Sequence, residues 1–117
     1  MQITGKAVIR VDGQELRSLD GASLNVGGMS REAKTGSNRI WGHTEKITAP
    51  ELSLKVAHTR DTDLIALGKI TDATVDFETD TGDRYIIVEA WVSEPPSLSA
   101  DSGEVDLKFS GVECKRA

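Results

Sequence analysis

A chain of 117 residues can bury one continuous core but hardly two, so a single domain covering residues 1–117 is expected. Hydrophobic residues make up 38% and the aromatics are Trp41, Phe77, Tyr85, Trp91 and Phe109, so the core must be thin and largely aliphatic, with room for apolar surface that a partner covers. Nineteen acidic against fourteen basic residues give a net charge of −5 with no basic block longer than Lys115-Arg116, which excludes a surface built to attract nucleic acid.

In chain order, Met1 to Lys6 lacks the apolar stretch of a signal peptide, and no later run approaches the length of a membrane helix; a cytosolic, non-membrane protein is the expectation. Ala7, Ile9 and Val11 alternate with Lys6, Val8 and Arg10, and Asp12-Gly13 follows as a turn, which predicts a first strand and hairpin. Ala22, Leu24 and Val26 alternate with Ser23, Asn25 and Gly27, as Leu52, Leu54 and Val56 do with Ser53, Lys55 and Ala57. Between these strands the polar stretch from Met29 to Ile47 has no sustained period and reads as a long loop or extended hairpin arm at about residues 30–46. Ile40 and Trp41 within it argue against simple disorder.

Leu64, Leu67 and Ile70 recur at helical spacing. They predict one short helix over about 61–69, with Asp61 as N-cap, Gly68 near its end and the apolar stripe plugging an open end of the β layers. Ala73-Val75-Phe77 and Val105-Leu107-Phe109 restore the period of two against Thr74-Asp76-Glu78 and Asp106-Lys108. Tyr85, Ile87 and Trp91 share one face of the strand between them, which Pro95-Pro96 terminates. The pattern is that of a mainly β domain whose sheets are packed on one side and wet on the other.

Catalytic chemistry finds no starting point. Asp76, Glu78 and Asp80 approximate the alternating acids of a calcium loop, but Gly82 falls one position late and Ile87 stands where the bidentate acid belongs, so a polar turn explains them better. His43 and His58 have no metal-ligand spacing around them, and no serine sits in a nucleophile elbow. Cys114 has no intrachain disulfide partner, which fits a reducing compartment and an unreactive tail thiol. No cofactor and no metal are expected. Trp41 is the informative residue: an aromatic in a polar arm either folds back on the domain or anchors a contact with another subunit.

Several stretches taken together, in order and spacing, carry a family likeness. They are Ile3-Thr-Gly-Lys-Ala-Val-Ile-Arg-Val-Asp-Gly13, Val56-Ala-His-Thr-Arg-Asp-Thr-Asp63, Ile70-Thr-Asp-Ala-Thr-Val-Asp-Phe-Glu-Thr-Asp-Thr-Gly82, Trp91-Val-Ser-Glu-Pro-Pro96 and Gly103-Glu-Val-Asp-Leu-Lys-Phe-Ser-Gly111. In these the chain resembles the tail tube proteins of Mu-like contractile-tailed phages over nearly its whole length.

The resemblance implies a β-sandwich or barrel-like subunit with one helix and a long hairpin arm. Six copies would close into a ring, and rings would stack into a hollow tube inside a sheath. Its implied partners are copies of itself, the tail sheath, baseplate and tail terminator proteins, and DNA that passes through the lumen without specific binding. It would be assembled in the host bacterial cytoplasm and end in the virion tail. The arm residues Arg31, Glu32, Lys34, Arg39, Ile40, Trp41 and His43 become candidates for contacts between subunits or rings. Candidates to face the lumen are Ser23, Asn25, Glu51, Ser53, Asp76 and Glu78, since an acidic bore repels phosphates; Lys55 departs from a wholly acidic lining. Two other readings stay open at this point: a type VI secretion-like tube protein, and a small β-sandwich ligand-binding module.

Overall fold

The computed structural model describes residues 1–60 and 62–117. In chain order its elements are β1 (Ala7–Val11), β2 (Gln14–Leu16), β3 (Ser23–Asn25), β4 (Gly28–Gly36), β5 (Arg39–Thr48), β6 (Glu51–Ala57), α1 (Leu64–Gly68), β7 (Ala73–Thr79), β8 (Arg84–Val92), β9 (Ser97–Ser99), β10 (Glu104–Ser110) and β11 (Glu113–Arg116). The expected fold class holds: the domain is mainly β, sandwich- to barrel-like, with one short helix and a long hairpin arm.

Two sheets face each other across the core. The first runs β2-β1-β7-β8-β11 and the second β3-β6-β10, with β9 and the end of β8 both paired to the far edge of β10. All the pairings are antiparallel, as the alternation of one apolar and one polar face requires. Ile9, Val11, Val75, Phe77 and Ile87 of the first sheet meet Leu52, Leu54, Val56, Val105, Leu107 and Phe109 of the second, all buried. The core is aliphatic apart from two phenylalanines, and among the described residues no polar side chain is buried in it.

β8 belongs to both sheets. Ile87 pairs with Val75 and Ala90 with Ala73, so β8 carries one more residue than β7 between these points. Glu89 takes a φ of +50° within this bulge, and beyond it Trp91 and Val92 pair with Ser110 and Phe109 of the second sheet. The bulge corrects one sequence expectation. Strict alternation would put Trp91 on the face of Ile87, but the extra residue turns Ala90 inward and Trp91 outward, where it is exposed. Gly111 allows the neighbouring β10–β11 corner to close, since a Cβ there would collide with Cγ2 of Ile87.

At the β1–β2 hairpin, Asp12 and Gly13 both adopt positive φ, as a two-residue turn demands. The chain then crosses to β6, where Leu19 donates to the Lys55 carbonyl and Ala57 to that of Arg17, closing the barrel on that side. The helix is shorter than predicted. Asp63 caps it, its Oδ1 accepting from the backbone N–H of Ile65 and Ala66; Asp61, the expected cap, lies outside the described residues. Leu64, Leu67 and Ile70 are half-buried and pack on the core, as the stripe requires.

β4 and β5 form a separate two-stranded ribbon, and among the described residues they pair only with each other. It lengthens the molecule to 61 Å, against 36 and 29 Å across, and gives a radius of gyration of 17.1 Å. A compact chain of this length would have about 13 Å.

Candidate assembly surfaces

The arm is rooted by glycine. Gly27 and Gly28 have φ of +72° and +108°, and a Cβ on Gly27 would sit 2.7 Å from both the Thr48 carbonyl oxygen and the Pro50 nitrogen. Only glycine lets the outgoing and returning backbones approach this closely. At the other end, Ser37 and Asn38 both take left-handed φ, +47° and +63°, in a two-residue turn whose twist suits the flanking strands.

Register divides the seven arm candidates between two faces. Met29 opposes Ile47, Arg31 opposes Glu45, Ala33 opposes His43 and Thr35 opposes Ile40 on one face. On this face Glu45 receives Arg31 Nε at 3.3 Å and lies 3.2 Å from His43 Nε2. Glu32 and Lys34 lie on the other face, 3.8 Å apart. Trp41 is the extra residue of a bulge between the Lys34–Gly42 and Thr35–Ile40 pairs. It folds toward Gly36, where a side chain's Cβ would lie 3.0 Å from the indole Nε1, and the Arg39 guanidinium stands 4.6 Å from the centroid of its ring. Ile40 and Trp41 are exposed at the tip, and Met29 and Ile47 at the base.

The structure separates the six lumen candidates. Ser23 pairs with Ser53 and Asn25 with Glu51, so these four form one patch on the outer face of the second sheet. Ser110, Lys108 and Asp106 of β10 continue it beside Glu51, Ser53 and Lys55. The two lysines are held by carboxylates, Lys55 by Glu104 at 3.6 Å and Lys108 by Glu94 at 3.7 Å, which leaves Glu51 and Asp106 without a cationic partner among the described residues. This face has no apolar side chain on β6 or β10 other than Ala57.

Asp76 and Glu78 lie on the outer face of the first sheet, across the core from the others. Arg84 donates to both oxygens of Asp76 at 2.9 and 2.7 Å, and Arg10 donates to Glu78 at 2.7 Å. The hydrogen bond to Asp76, helped by its charge, raises the Arg84 pKa further, and that to Glu78 does the same for Arg10. Asp80 accepts from the Gly5 N–H, so the three alternating acids have separate structural partners, and no cluster of three metal-ligating side chains forms among the described residues. Thr79 and Asp83 close the predicted polar turn through hydrogen bonds in both directions. Cys114 is half-buried against the core, and burial pushes its thiol pKa up, away from the reactive thiolate.

Sequence reading missed the hairpin register because neither face of the arm is buried within the chain. Its one local signal was Ser37-Asn38, two residues tolerant of turn geometry, placed between Gly36 and Arg39.

The comparisons with known proteins bear on this architecture. A family model described as phage tail tube protein matches residues 1–116. The Mu-like prophage FluMu tail tube protein of Haemophilus influenzae is 43% identical over 115 residues, covering 98% of this chain and 96% of that protein. The tail tube protein of Escherichia phage Mu is 35% identical over 115 residues, covering 98% and 95%. Among solved structures, the terminating cap of the anti-feeding prophage tube superposes with a TM-score of 0.67 at 10% identity, covering 98% of this chain and 89% of that one. Hcp1 from Flavobacterium johnsoniae gives 0.60 at 14% identity, covering 95% and 94%. These two share the fold. The chain belongs to the phage tail tube protein family and is a structural component of a tail, not an enzyme.

Proposed function

We propose that the subunit closes with five copies of itself into a hexameric ring, that rings stack through the arm, and that DNA passes down the resulting bore during infection. The observation that carries this reading is the arm: a ribbon about 30 Å long, by strand rise, whose strands pair only with each other among the described residues. An isolated two-stranded hairpin is marginally stable in water, and this one exposes Ile40, Trp41, Met29 and Ile47. Packing against neighbouring copies supplies what the monomer lacks. Arg31, Ile40 and His43 then make contacts between subunits from one face and Glu32, Lys34 and Arg39 from the other, with Trp41 at the tip beside Arg39.

The second sheet turns its outer face to the bore. Ser23, Asn25, Glu51 and Ser53 form a short, polar surface there, and the two carboxylates without cationic partners repel phosphate. Asp76 and Glu78, on the first sheet and each neutralised there by an arginine of a neighbouring strand, suit an outward-facing surface better. β3 and β9 are each paired on one side among the described residues, so side-by-side closure removes two open edges. Membership of the tail tube family and the similarity to a tube-terminating cap support sheath and terminator proteins as further partners, with the baseplate at the other end. Assembly takes place in the host bacterial cytoplasm, and the product resides in the virion tail.

Cryo-electron microscopy of the concentrated protein tests the ring: six subunits with β6 and β10 toward the axis are expected, and a bore lined by β1 and β7 would reject this orientation. Charge reversal tests the bore. Glu51→Lys with Asp106→Lys should leave tube width and length unchanged and lower infectivity at least tenfold, since a basic lumen binds phosphates. Unchanged infectivity would remove this face from the lumen.

A further inference from the structure

α1 exposes an isoleucine that no local need explains. Ile65 is 72% exposed, although Leu64, Leu67 and Ile70 already supply the stripe that packs on the core. A β-branched residue also gives a five-residue helix no help from propensity. The Asp63 cap bonds the Ile65 and Ala66 N–H groups and fixes the first turn. Lys69 follows four residues after Ile65, so the two share the outer side of the helix, and Lys69 has no ion-pair partner among the described residues. The result is a knob with one apolar and one cationic tip, at the rim of an open groove that α1 walls together with Val92, Pro95 and Pro96.

The base of the arm presents the converse. Val26, Ile47, Pro50 and Val112 wall an open groove of about 320 Å³, in which Val26, Ile47 and Val112 are 49%, 79% and 62% exposed. Glu113 stands at its edge, and its nearest cation, Lys115 on the same strand, is 3.8 Å away with both side chains largely in solvent. Knob and groove share no residue. A two-fold contact would seat each knob in the other copy's groove and stop at a dimer, whereas a head-to-tail contact repeats from copy to copy, as a ring requires.

We infer that the α1 knob of one copy seats in the arm-base groove of the next, Ile65 against Val112 and Ile47, and Lys69 beside Glu113. This rests on the ring reading above and assigns its lateral contact, leaving the stacking contact to the arm tip. The apolar pair supplies burial, and the charge pair sets direction around the ring.

The test uses assembled full-length protein carrying Ile65→Cys and Val112→Cys with Cys114→Ser. Oxidation should give a ladder of covalent multimers on a non-reducing denaturing gel, while either single cysteine gives no ladder. Intact tubes of the double-cysteine protein that yield only monomer would overturn the contact. A second experiment does not depend on disulfide geometry: Lys69→Glu or Glu113→Lys should each raise the concentration needed for assembly about tenfold, and the double reversal should restore it to within about threefold. Absence of rescue also overturns the assignment. Wild-type protein that forms no rings under the same conditions defeats the ring reading itself, and the contact with it.

Discussion

At the scale of single residues, the positions that matter are those where the backbone leaves no alternative. Gly111 is not conformationally special, yet its missing Cβ makes room for Cγ2 of Ile87 in the corner between the sheets. Gly111→Ala should therefore destabilise the subunit by about 1–3 kcal/mol, the usual cost of overpacking, and thermal unfolding by circular dichroism would measure it. A melting midpoint equal to wild type would mean that Ile87 can move aside freely. Trp41 and Trp91 show how much of this scale was legible. Trp41 stands out in the sequence as a large aromatic among polar residues, and in the structure it lies uncovered at the arm tip, stacked with Arg39. Trp91 leaves the face of Ile87, because a bulge at Glu89 inverts the alternation that sequence reading depends on and nothing in Glu-Ala-Trp announces it; of core and sheet surface, the two places open to it, it takes the surface.

At the scale of elements, strands with one buried face declared themselves. β1, β6, β7 and β10 alternate so regularly that inner and outer residues could be assigned directly, and the helical stripe of α1 stood out against them. The arm is legible as an arm but its register is not, because alternation records burial against the same chain, and both its faces are open. For the same reason the six lumen candidates could be named but not grouped: strand patterns tell which residues face outward, and only sheet order tells which outward faces coincide. The independence of the arm gives a prediction. Replacing residues 29–47 by an Asn-Gly turn joins positions whose backbones are already cross-strand neighbours at Gly28 and Thr48. The shortened protein should unfold as cooperatively as the original, with a midpoint within about 5 °C by scanning calorimetry, and should form no tubes at any accessible concentration. A shortened chain that fails to fold would make the arm part of the domain's own stability.

For the whole molecule, charge and shape act together. A subunit of net charge −5 would give the proposed hexameric ring roughly −30, so that in this reading copies repel through charge while the apolar groove and arm surfaces attract. Screening should then favour assembly. Raising sodium chloride from about 0.05 to 0.5 M shortens the screening length about threefold and should lower the concentration at which tubes appear by light scattering. A rise in that concentration would mean that ion pairs between subunits, such as Lys69 with Glu113, outweigh the overall repulsion.

The passage of β8 through both sheets has a mechanical meaning. Sheets that meet only through side chains can slide past each other by exchanging one set of van der Waals contacts for another. Here the layer that carries β7 and the layer that carries β10 are joined midway along one strand, at Glu89 and Ala90, by covalent backbone. A shearing load on either layer must stretch that strand before the core can yield, so the wall of an assembly built from these subunits resists deformation through its chain connectivity as well as its packing.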